Sequence, residues 1–142
     1  MTKVILPVGP IAYEPFADLC NQEGVSCESL VIFSMDEYCY ADGTAIPFEH
    51  PLSFRAFYQH TLMDRLDRDK KLPPHQLILP DPKDLDLAPR KIAEYGGIDV
   101  TYGGFGINGH FAFNSPPREP LDVETFRSIG VRVLELREGD MI

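Results

Sequence analysis

The chain has 142 residues, 44% hydrophobic and 25% charged, a composition that fits one folded domain and excludes a disordered polymer. With 22 acidic against 13 basic residues it carries a net charge of −9. That charge argues against non-specific binding to nucleic acid or to an anionic membrane, because both are polyanions.

In chain order, Val4 to Val8 is a short apolar run punctuated by Pro7, Gly9 and Pro10, which predicts a strand ending in a turn. Glu14 to Glu23 carries Phe16, Ala17, Leu19 and Cys20 at helical spacing, with Gly24 placed to cap the C-terminus. Ser29 to Met35 is a continuous apolar run, as expected of a strand buried on both faces. Strand, helix, strand implies a parallel βαβ unit. After a loop from Cys39 to His50, Ser53 to Leu66 predicts a helix through Phe54, Phe57, Tyr58, Leu62 and Leu66. Gln76 to Leu79 reads as a short strand. Leu87 to Tyr95 reads as a helix closed by Gly96-Gly97, and Ile98 to Tyr102 as another buried strand. A glycine-rich loop, Gly103 to Gly109, follows. Ile129, Val131 and Val133 alternate with Gly130 and Arg132, which suggests one more strand. The expected fold is a single α/β domain over residues 1–142, an open, mostly parallel sheet with helices on both faces.

Ligands of such sheets bind beyond the carboxyl ends of the strands. Two of those ends carry specific polar sequences: Ser34-Met35-Asp36-Glu37-Tyr38 and Gly103-Gly104-Phe105-Gly106-Ile107-Asn108-Gly109-His110. If the two strands are neighbours, Asp36 and His110 face one crevice and supply two proton handlers. Locally, a carboxylate after a strand also serves as a helix cap or turn former, and a histidine in a glycine loop is often structural. Gly104-x-Gly106-x-x-Gly109 has the form of a dinucleotide fingerprint, but Pro116-Pro117 interrupts the helix it should open, so a nicotinamide or flavin is rejected. His50, His60 and His75 lack paired ligand spacing. A metal held by Asp36, Glu37 and His50 is the less favoured reading, and no metal is expected. Cys20, Cys27 and Cys39 form no C-x-x-C and suit neither a disulfide framework nor zinc, which points to reduced cytoplasmic thiols. The apolar run after Met1 is too short for a signal-peptide core, and none approaches membrane-spanning length.

Three segments together resemble the glucosamine-6-phosphate deaminases, relatives of the 6-phosphogluconolactonases. Phe33-Ser34-Met35-Asp36-Glu37-Tyr38 resembles their F-N-M-D-E-Y, and His50-Pro51-Leu52-Ser53-Phe54 the H-P-x-S-Y/F that follows it. Gly103-Gly104-Phe105-Gly106-Ile107-Asn108-Gly109-His110-Phe111-Ala112-Phe113-Asn114 resembles G-G-x-G-x-D-G-H-I-A-F-N, in the same order and separation. The resemblance implies a Rossmann-like sheet of the deaminase/isomerase type, here the N-terminal and central part of it. It implies a sugar-phosphate isomerase/deaminase needing no cofactor, with Asp36 as the base that moves a proton between C2 and C1 and His110 assisting ring opening. Gly9, Met35, Glu37, Gly104, Phe105, Gly106 and Asn108 would contact the substrate.

The sequence departs from that pattern at three places. Asn108 and Ser115 stand where the family has carboxylates near the histidine, and Pro7-Val8-Gly9-Pro10-Ile11 replaces the family's P-x-G-G-S/T-P phosphate loop. Two further readings therefore accompany the first: a ligand-binding relative without turnover, and a sugar-lactone hydrolase using His110. The chain ends after the predicted last strand, where family members continue, and a sheet of that length leaves apolar faces to cover. Either self-association or a chain that is part of a longer protein is expected.

Overall fold

Two central strands, β1 (Thr2–Leu6) and β2 (Leu30–Ser34), lie side by side in a computed structural model that describes residues 1–117 and 119–136. β3 (Leu77–Ile78) pairs with the outer side of β2, and β4 (Val100–Thr101) with the outer side of β1. The order is β3-β2-β1-β4 and every pairing is parallel. Ile5 of β1 stands between Phe33 and Thr101, which puts the strand ends nearly level. Pro7 stops β1 because it has no N–H to give the ladder.

The sequence pattern explains the elements. β2 is buried on both faces, with Ile32 directed to one side and Val31 and Phe33 to the other. On the first side, α1 (Glu14–Glu23) and α2 (Phe54–Tyr58) supply Ala17, Cys20, Phe54 and Tyr58. On the second, α3 (Leu87–Glu94) brings Ile92, with Tyr95 and Ile98 just beyond it. Helices thus cover both faces. Gly24 ends α1 in the left-handed region at φ 69°, where the Val25 N–H reaches the Cys20 carbonyl at 2.8 Å.

Local expectations need correction at the 53–66 helix and at the 129–133 alternation. The helix predicted over 53–66 is α-helical only to Tyr58; Gln59–Met63 widens into a π-helical turn, with the Asp64 N–H reaching Gln59 O at 2.8 Å. The Thr61 hydroxyl donates to the Phe57 carbonyl at 2.8 Å, where it takes part of the backbone's acceptor capacity. The alternation at Ile129, Val131 and Val133 makes no strand, since period-two hydrophobicity without a paired neighbour yields only extended chain. Before it lies an unanticipated helix, α4 (Val123–Ser128), started by Asp122, whose carboxylate accepts from the Thr125 N–H at 2.9 Å. α4 is only six residues long and buries none of them, its Val123 and Phe126 being exposed, so its periodic signal in the sequence is weak.

Cys20 and Cys27, both buried, bring their sulfurs to 3.9 Å. Burial pushes the Cys27 thiol up to about 12, with Cys20 beside it adding to the effect. Thiol reagents are therefore expected to label half-buried Cys39 in the native protein and to reach Cys20 and Cys27 only after unfolding, as mass spectrometry would count.

The topology determines where a ligand can sit. The chain steps outward from β1 through β2 to β3, then returns past α3 to lay β4 on the opposite flank of β1. At that reversal the connections after β1 and β4 diverge, and a crevice opens beyond their carboxyl ends.

Candidate active site

A cleft of about 540 Å³ occupies that crevice. Its floor is the β1 exit, Pro7 to Ile11; Met35 and Asp36 enter from β2, and Tyr102 to Ile107 with His110 come from β4. β2 and β4 are not neighbours, because β1 lies between them. Asp36 and His110 nevertheless line the same cleft, since both exit loops lean over the end of β1. A Cβ built on Gly103 would stand 2.6 Å from Phe111 Cε2 and 3.3 Å from Met35 Cε, so any larger residue there would displace the side chains where the loops meet.

The β1 exit is braced from beneath. The hydroxyl of fully buried Tyr58 donates to the Leu6 carbonyl at 2.8 Å, and that of Tyr13 to the Pro7 carbonyl at 2.7 Å. Two acceptors at the strand end are thereby satisfied without water.

Asp36 follows β2 by two residues. Met35 extends the ladder with an N–H to Leu6 O at 2.9 Å, and the buried Ser34 hydroxyl donates to the Asp36 carbonyl at 2.7 Å. The backbone turns there, and the side chain points into the cleft. Its carboxylate receives no hydrogen bond among the described residues. Burial, with a smaller contribution from the Glu37 charge, raises its pKa from 3.8 to about 7. A carboxyl that exchanges its proton near neutral pH suits general base chemistry.

His110 is held by its own loop. Asn108 Oδ1 lies 2.6 Å from His110 Nδ1 and also accepts from the His110 backbone N–H at 3.1 Å. A backbone N–H can only donate, so the shared atom is the amide oxygen and Nδ1 donates to it. The Gly106 N–H donates to His110 O at 2.8 Å, and Gly109 turns at φ 82°. The ring lies so close over Gly106 that a Cβ there would fall onto it. Phe113 anchors the far end of the loop, its ring 4.9 Å from Tyr38 and 5.9 Å from Phe54.

Similarity to curated proteins converges on one group. The glucosamine-6-phosphate deaminase of Bacteroides thetaiotaomicron is 35% identical over 108 residues, which is 73% of this chain and 37% of that protein. The one from Porphyromonas gingivalis is 39% identical over 119 residues, 78% of this chain and 42% of that protein. The one from Pasteurella multocida is 34% identical over 119 residues, with the same coverages of 78% and 42%. The chain belongs to the glucosamine-6-phosphate deaminase family. It is a divergent member and spans about two fifths of the length of the curated relatives it matches. No protein-family model matches it. Among the described residues no helix is long and apolar enough to cross a membrane.

Of the residues that the deaminase resemblance singled out, Gly9, Met35, Asp36, Gly104, Phe105, Gly106 and His110 line the cleft. Glu37 does not. Its Oε1 accepts from the Tyr38 and Phe54 N–H groups at 2.9 and 3.0 Å, and its Oε2 accepts from Arg55 at 3.0 Å. The carboxylate therefore ties the β2 exit to the first turn of α2, whose N-cap Ser53 accepts from Ala56 at 3.2 Å. Substituting Glu37→Ala leaves up to three N–H groups unbonded; urea denaturation should show a loss of about 1–3 kcal/mol. Asn108 is likewise a support, reaching the site through His110 rather than lining it.

His50, weighed at first as a metal ligand, accepts from the Leu52 N–H at 3.1 Å through Nδ1, in the turn before α2. No group of three or more His, Cys, Asp or Glu among the described residues is placed to hold a metal. Sequence reasoning missed Tyr13 and Tyr58: a tyrosine at helical spacing signals a core position, and nothing in the spacing reveals which carbonyl its hydroxyl will meet. It also missed Ala112, a cleft residue in the left-handed region at φ 52°.

Proposed function

We propose that the cleft carries out aldose–ketose isomerisation of an amino-sugar phosphate with release of ammonia; its relatives are named as deaminases of glucosamine 6-phosphate. The observation that carries this reading is Asp36, a half-buried carboxyl near neutral pKa, opening into the same cleft as a tautomer-fixed histidine. In this scheme His110 Nε2 takes the anomeric hydroxyl proton and delivers it to the ring oxygen as the C1–O5 bond breaks, which leaves the open-chain aldehyde. Asp36 then removes the C2 proton, the electron pair forms the C1–C2 double bond, and the C2 ammonium passes a proton to the C1 oxygen to give the enolamine. The same carboxyl returns the proton to C1, and water displaces ammonia from the resulting ketimine at C2. No redox step enters, because a positioned carboxylate suffices to move a carbon-bound proton.

Asn108 replaces a carboxylate as the partner of His110. Its amide oxygen holds the ring and selects the tautomer but brings no charge, so orientation is kept and electrostatic support is lost. The relatives' name makes glucosamine 6-phosphate the first substrate to test. Ammonia release and ketose formation, measured on wild type beside Asp36→Asn, test the reading: turnover that survives in the variant, or is absent from a folded wild type, would refute it.

A further expectation concerns Gly106. Because a Cβ there collides with the His110 ring, Gly106→Ala should lower turnover by about tenfold to hundredfold while the melting temperature changes little. A melting temperature that falls with activity would instead mark Gly106 as part of the folding core.

A further inference from the structure

The backbone around Asp36 is tied on both sides of the residue. The Met35 N–H donates to Leu6 O at 2.9 Å, the same carbonyl that accepts the Tyr58 hydroxyl at 2.8 Å. Both lone pairs of that oxygen are thereby used, and the residue before Asp36 is fixed to the end of β1. Two residues beyond Asp36, the Tyr38 N–H donates to Glu37 Oε1 at 2.9 Å. Between these anchors the turn is closed by Ser34, whose hydroxyl donates to the Asp36 carbonyl at 2.7 Å.

Ser34 is the last residue of β2 and only 6% exposed, and it stands where the family pattern has asparagine. With the Met35 amide and the Asp36 carbonyl both held, little backbone freedom is left at Asp36, and the direction of its side chain follows. The groups that face the carboxylate are Glu37 and Tyr38 on its own loop, Tyr58 from α2, and His110 from the β4 exit. Glu37 is bound by three N–H groups that Ser34 does not touch. Removing the Ser34 hydroxyl therefore changes where Asp36 sits and leaves the charges around it in place.

We propose that Ser34 is the positioning residue of the base, setting how deep the Asp36 carboxylate lies in the cleft. The inference rests on the isomerase–deaminase reading above and deepens it. An untethered Asp36 can turn toward solvent, where water stabilises its charge. It would then titrate lower and lie farther from the carbon-bound proton.

The test compares Ser34→Ala, which removes one oxygen atom, with Ser34→Thr, which keeps the hydroxyl. Carboxyl-carbon NMR follows the Asp36 titration in both, and ammonia release from glucosamine 6-phosphate is measured across the same pH range. Ser34→Ala should move the titration to lower pH by about one unit and lower kcat about tenfold, with KM changed less than about twofold. Ser34→Thr should restore both. An unmoved titration in folded Ser34→Ala, a loss of turnover carried wholly by KM, or a Ser34→Thr that behaves like Ser34→Ala overturns the inference. A titration that responds in a chain without turnover upholds the positioning and refutes the isomerase–deaminase reading.

Discussion

Asp36→Asn is expected to remove ammonia release almost completely, by about 10²- to 10⁴-fold in kcat/KM, the usual contribution of a positioned general base. The substitution is nearly isosteric, so the cleft should keep its shape. An amide has no basic lone pair for a carbon-bound proton, and no other carboxylate lines the cleft among the described residues to replace it. The wild-type pH profile adds a second readout. Because the carboxyl must be ionised to act, and its pKa lies at about 7, kcat/KM should fall about tenfold per unit as pH drops below that value. A profile flat from pH 5 to 8 would exclude Asp36 as the base.

The same substitution should stabilise the fold, and by a pH-dependent amount. Asp36 titrates at 3.8 in the unfolded chain and at about 7 in the folded one, the increase arising first from burial and then from Glu37. Between those values the folded state binds more protons than the unfolded state, so this group makes the protein less stable as pH rises through the window. Above about pH 7 both states are ionised and the penalty is constant. At about 1.4 kcal/mol per unit the full penalty is at most about 4 kcal/mol, and residual contact with solvent reduces it to about 2–3. Asp36→Asn should therefore match wild type near pH 4 and exceed it by about that amount at pH 8 in chemical denaturation. A gain independent of pH would assign the effect to packing instead of to ionisation.

Taken together, the two expectations describe a trade between stability and function. Neither Glu37 nor Asn108 should behave this way. Glu37 bonds three N–H groups around the start of α2, so its removal costs stability without a base being lost. Asn108 acts through the tautomer of His110.

Period and punctuation alone determined most of the α/β plan. The helix Glu14–Glu23 and its Gly24 cap have the bounds read from the sequence, because apolar spacing and a left-handed glycine are local signals. β2 announced its burial on both faces through an uninterrupted apolar run. The two polar loops were also legible, since each follows such a run and contains residues that packing alone does not call for. What the sequence missed has a common cause. The Ile129–Val133 alternation lacked a paired strand, and α4 buries no face, so in each case the local signal and the tertiary partner did not agree.

Only the tertiary structure decided what each polar side chain does. Strand order puts β1 between β2 and β4, a non-local pairing that no local pattern encodes, and that arrangement brings Asp36 and His110 to one cleft. Adjacent residues then receive opposite tasks: Asp36 faces the cleft with no hydrogen bond to its carboxylate among the described residues, while Glu37 turns to the backbone of α2. Their sequence positions differ by one. The free energy of a carboxylate depends on burial and on the donors around it, and both are properties of segments that meet only in the folded chain.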